Sequence, residues 1–165
     1  MDIEWLDAVL RLGAATVSGV AIGINRDLTH KPIGMRTLAL VALGAAAVTV
    51  ATLQFGVVDK HPDALSRVVQ GVIQGIMAGI SFIGAGVILR DPKAGEVSGL
   101  TTAATVWVTA ALGIACGLGA WVVVAATLAL ALLVLAGLHK ADAWLSRKAA
   151  REHGGEENPG KAKER

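Results

Sequence analysis

Residues 71–90 read GVIQGIMAGISFIGAGVILR, residues 91–98 read DPKAGEVS and residues 99–119 read GLTTAATVWVTAALGIACGLG, and this stretch decides how the chain folds. Gly71, Gly75 and Gly79 stand four apart, and so do Thr101, Thr105, Thr109, Gly113 and Gly117. On a helix that spacing keeps each row on one face, where missing side-chain bulk lets a neighbouring backbone come close. Apolar side chains gain nothing by leaving lipid for one another, so close packing of small residues is a main source of helix association in a membrane. The stretch therefore predicts packed transmembrane helices, and with them an all-α, polytopic membrane bundle.

Composition agrees. Of 165 residues, 54% are hydrophobic and 17% charged, and the mean hydropathy of +0.61 excludes an ordinary soluble domain. The charges are segregated as well. Asp, Glu, Lys and Arg are missing between Arg36 and Asp59, between Arg67 and Arg90, and between Glu96 and Lys140. The first two gaps approach the roughly 20 residues that cross about 30 Å of hydrocarbon. The third is about twice as long as one span needs, so it folds back, and 117–120 is the natural place. Five spans follow, at about 6–24, 37–58, 68–89, 100–116 and 121–138, forming a transmembrane domain over 1–138.

The first span carries Asp7 and Arg11 one turn apart, a pair that either snorkels to the outer headgroups or marks a polar pathway. Ala15, Gly19 and Gly23 repeat the small-residue stripe. Asn25–Arg36 and Asp59–Arg67 read as polar loops with proline turn signals. In the third span Gln70 and Gln74 lie one turn apart and, if buried, need partners on other helices. After His139 the chain turns basic, as a surface amphipathic helix that becomes disordered from Gly154. The acidic MDIEW start argues against a cleaved secretory signal. With the amino terminus outside, Arg26, Lys31, Arg36, Arg90, Lys93 and the basic tail fall on the cytoplasmic side, Lys60 and Arg67 fall outside, and Arg11 sits within the first span. The positive-inside rule thus predicts N-out, C-in.

Chemical signatures are sparse. No GxxxxGK[ST], HExxH, CxxC or GxSxG occurs, so no familiar phosphate, zinc, redox or acyl-transfer site assembles, no cofactor is implied, and an enzyme is not expected. A lone Cys116 in an apolar run reads as a buried hydrophobe. Asp27, Asp91 and Glu96 would make a magnesium site only if two loops met. The basic tail has no nucleic-acid-binding fold around it, so its expected partner is an anionic lipid surface.

Four segments carry a resemblance: SGVAIGINRD ending the first span, IGMRTLALVALGAA opening the second, GISFIGAGVILR closing the third, and GLTTAATVWVTAALGIACGLG. In this order, over about residues 18–119, the chain resembles the MgtC/SapB family of bacterial membrane proteins. On that resemblance, Arg26, Gly34, Arg36, Thr37, Gly79, Gly84, Gly86, Arg90, Gly99, Thr102 and Ala103 fall on the family's motif. The family's usual glutamate just before the first arginine is Asn25 here, with Asp27 two places on. The chain is similar to the short, SapB-like members, without the soluble carboxy-terminal domain of MgtC itself.

What the resemblance implies is a multi-pass bacterial inner-membrane protein linked to magnesium limitation, acid stress or survival in hosts. It also implies action on partner membrane proteins, the F-type ATP synthase among them. A non-enzymatic regulator working through helix contacts is the first expectation. A small ion or solute transporter is the alternative, prompted by Asp7, Arg11, Gln70, Gln74 and the threonine row. Five short spans are few for a transporter, so that reading requires a homo-oligomer.

Overall fold

The computed structural model describes residues 4–54, 62–88 and 98–153, and the secondary structure among them is helical. Five helices follow in order: α1 Trp5–Leu28, α2 Met35–Gln54, α3 Pro62–Ile88, α4 Leu100–Leu118 and α5 Trp121–His153. The first four are long and apolar enough to cross a membrane, and α5 contributes a shorter apolar stretch, Trp121–Gly137. The result is a helical membrane bundle.

The bundle is built around α4, which touches each of the other four helices. Its buried residues cover about half of the helix surface, Thr105, Thr109, Ala110, Gly113 and Cys116 among them, while Leu100, Ala104, Trp107 and Leu118 are exposed on the other side. Ala15 and Ile22 of α1, Leu38, Ala42 and Ala46 of α2, and Val106, Leu112 and Cys116 of α4 form the main core. Those residues are mostly small, and the backbones approach accordingly.

Glycine rows pin α2 from two directions. A Cβ at Gly19 of α1 would lie 2.5 Å from the Leu38 carbonyl oxygen, and one at Gly23 would collide with Met35. On the other side a Cβ at Gly113 of α4 would run into the Ala42 carbonyl, and one at Gly117 would stand 2.6 Å from Cβ of Thr49. No side chain larger than hydrogen fits at these approaches.

The structure differs from the sequence reading in four places, three of them at the ends of elements. α1 does not stop at residue 24 but runs another turn to Leu28, so Asn25, Arg26 and Asp27 are helical. α3 begins at Pro62, because proline suits the first helical turn and Asp63 in that turn suits the helix dipole. The basic stretch after Leu138 continues α5 without a break to His153 rather than forming a separate helix. The fourth concerns α3. Gly71, Gly75 and Gly79 are exposed, with nothing among the described residues within 4 Å of a Cβ placed on them. The reason is that α3 meets the bundle through another face, where Ile73, Ile76, Met77 and Ile80 pack against Ala45, Ala110 and Ile114.

The expected fold-back occurs at Gly119, whose φ of 73° is the left-handed conformation that ends α4. Its N–H donates to the Cys116 carbonyl and that of Ala120 to Ala115, both at 2.9 Å. Residues 1–3, 55–61, 89–97 and 154–165 lie outside the described residues, and with them Asp59, His61, Arg90, Asp91, Glu96 and the tail beyond His153.

Candidate functional site

Two arginines bracket α4, one at each end. Arg11 lies at the carboxyl end, where the last carbonyls of a helix carry partial negative charge. Its Nη1 donates to the Gly117 carbonyl at 2.8 Å and its Nη2 pairs with the Asp7 carboxylate at 2.8 Å. Its side chain is 14% exposed, so most of it is covered by protein. It caps α4 from α1.

At the opposite end, Arg26 is 2% exposed. Its position follows from the register of α1, since Ala15, Gly19, Ile22 and Arg26 continue one buried stripe. The extra turn of α1 carries that stripe into the bundle rather than releasing it into a loop. Nη2 of Arg26 donates to Oγ1 of Thr102, in the first turn of α4. Its Nε is also buried and has no hydrogen-bond partner.

Asp27, next to it, faces another way. Its Oδ2 accepts the Met35 N–H at 3.1 Å, so the carboxylate caps the start of α2 across the connection. Gly34 lies directly beneath that carboxylate. Asn25 is half-buried, while Arg36 and Thr37 are exposed on the first turn of α2.

The end of α3 closes the same region. Gly84 is buried with Ala103 of α4 at ordinary contact, 3.5 Å from a Cβ built on it, whereas Gly86 is open on the surface. Gly99 adopts φ 86°, and a Cβ there would stand 3.0 Å from the Val87 carbonyl oxygen. It opens α4 without any side-chain cap. The structure thus gathers Arg26, Thr102, Gly84 and Gly99 at one end of the bundle, with Asp27 and Gly34 beside them.

The remaining polar candidates scatter. Gln70 and Gln74 are exposed on α3 rather than buried between helices, on the side of the helix that carries Gly71 and Gly75. Thr105 donates to the Thr101 carbonyl and Thr109 to the Thr105 carbonyl, at 2.7 and 2.8 Å, so these hydroxyls are satisfied inside their own helix. Ser18 and Thr16 do the same on α1. Cys116 is a fully buried free thiol. Among the described residues no group of three His, Cys, Asp or Glu side chains could hold a metal ion.

A profile described as the MgtC family matches residues 12–144 of the chain. Protein SrpB of Synechococcus elongatus is 43% identical, over 86% of this chain and 81% of its own length. Protein SapB of Bacillus subtilis is 36% identical, over 72% of this chain and 52% of itself. Protein MgtC of Salmonella typhimurium is 40% identical, over 67% and 43%. The chain thus spans most of SrpB but only about half of SapB and MgtC. No solved structure matches.

Proposed function

The chain belongs to the MgtC family, and on that premise we propose that it is a non-enzymatic regulator that acts by docking its α3 face on the helices of other membrane proteins. It is a multi-pass protein of the bacterial inner membrane, and its family membership links it to magnesium- or stress-related membrane function. The observation that supports docking is the outward side of α3. α3 packs on the bundle through Ile73, Ile76, Met77 and Ile80, but on its other side Gly71, Gly75 and Gly79 have nothing from the other described helices within 4 Å of a Cβ placed on them, and Gln70 and Gln74 are exposed beside them. Small residues admit a partner backbone, and amides in hydrocarbon favour a partner that hydrogen-bonds them.

The transport alternative draws less support. Thr105 and Thr109 donate their hydroxyls back along α4, so these two offer no open donor to a passing ion. The family resemblance puts the F-type ATP synthase among the partners to examine.

Co-purification from native membranes tests the proposal. A specific membrane partner should be recovered with the wild-type chain and lost with Gly75→Leu at unchanged folding. Recovery of the chain alone, together with cation flux in proteoliposomes, would favour the transporter instead.

A further inference from the structure

The two ends of α4 are electrostatically unequal, and the inequality points to a ligand. At the carboxyl end Arg11 meets the Gly117 carbonyl oxygen and the Asp7 carboxylate, so its charge is paired although its Nε, too, has no acceptor. At the amino end Arg26 meets a turn whose own partial charge is positive. Its guanidinium is buried against Thr102 and leaves Nε without an acceptor. A buried cation is ordinarily paired, and a buried donor without an acceptor is costly.

Among the described residues no charge supplies the pairing. Among the groups with described side chains at this end, Arg26, Lys31 and Arg36 are cations and Asp27 is the carboxylate, already engaged by the Met35 N–H. The carboxyl ends of α1 and α3 lie on this side and offer partial negative charge, but the amino ends of α2 and α4 cancel it. Among the described residues the integer charge of Arg26 remains.

Donors converge there too. The first N–H groups of a helix have no intrahelical acceptor, and Gly99 gives α4 no side-chain cap. Thr102 accepts from Arg26, and a hydroxyl that accepts still has one proton to donate. The first turn of α4 reaches the surface at Leu100 and Thr101, which are exposed, and at Gly99, which is half-exposed, while Thr102 and Arg26 are buried.

We infer that the amino end of α4, with Arg26 and Thr102, binds a phosphate group. A planar guanidinium and free helix N–H groups together suit an oxyanion with several acceptor oxygens. The phosphate can come from free inorganic phosphate or from the headgroup of an anionic lipid, because the site lies at one end of the membrane-spanning helices. The inference stands apart from partner docking on α3 and uses none of its residues.

The test uses the full chain, purified in detergent. Unfolding temperature is followed against sodium phosphate, with sodium chloride at matched ionic strength as control, and retention of phosphatidylglycerol is read by native mass spectrometry. Wild type, Lys31→Gln and Thr102→Ser should give a saturable response to one of the two probes, which identifies the source of the phosphate. Thr102→Val should weaken the apparent dissociation constant about tenfold or more, as expected when a bond to a charged partner is lost. Arg26→Lys, which keeps the charge but loses the fork, should weaken it likewise. If Arg26→Lys does not fold, the Thr102 pair carries the test. A response to neither probe, or an equal response in all variants, overturns the inference.

Discussion

Gly34 has no side chain because the Asp27 carboxylate occupies the space a Cβ would fill, while that carboxylate holds the first N–H of α2. The two residues therefore form one device. Asp27→Ala should cost on the order of 1 kcal/mol, the usual worth of a helix cap. Gly34→Ala should destabilise the wild-type chain by pushing the carboxylate aside, but add little to Asp27→Ala. Chemical unfolding of the two single variants and the double variant checks this, since residues in contact should not be additive. Arg11 belongs to the same scale. Arg11→Met removes its bond to the Gly117 carbonyl and leaves Asp7 unpaired, and unfolding should register a loss of about 1.5–3 kcal/mol. Neither device was legible in the sequence. Asp7 and Arg11 show their pairing by spacing, but a bond to a carbonyl on α4 depends on how two distant segments meet. Arg26 was legible in principle, since it continues the stripe of Ala15, Gly19 and Ile22. Its charge made a cytoplasmic loop the simpler reading.

At the scale of elements, rows of glycine that look alike in the sequence do different work. Gly113 presses α4 against the α2 backbone, while Gly75 meets nothing among the described residues. Gly113→Leu should cost at least about 1–3 kcal/mol by overpacking and reduce the yield of folded protein. Gly75→Leu should leave the unfolding temperature within a degree or two of wild type. Thermal unfolding of the two variants side by side separates them. A spacing of four tells that a helix has a smooth face but not what lies opposite it. The apolar runs made the helices themselves legible, and Gly119 made the turn between α4 and α5 legible, because each is a local property. The facing of α3 is set by Ile73, Ile76, Met77 and Ile80 seeking the α2–α4 groove, which is a tertiary outcome.

For the whole molecule, the distribution of basic residues predicts that the end carrying Arg26 and Asp27 faces the cytoplasm. The single native thiol, Cys116, is fully buried and leaves a quiet background for labelling. A cysteine introduced as Gly155→Cys should therefore resist a membrane-impermeant reagent in intact cells and react once the membrane is opened. Labelling from outside would reverse the orientation and the side on which Arg26 acts. The account as a whole rests on a bundle closed around α4 with one side of α3 left for another protein. Photocrosslinking in native membranes tests this most directly, with a photoreactive residue at position 75 on α3 and, for comparison, at the highly exposed position 122 on α5. The account predicts a discrete adduct with another polypeptide from position 75 and only lipid from position 122. Lipid alone from both positions would contradict it.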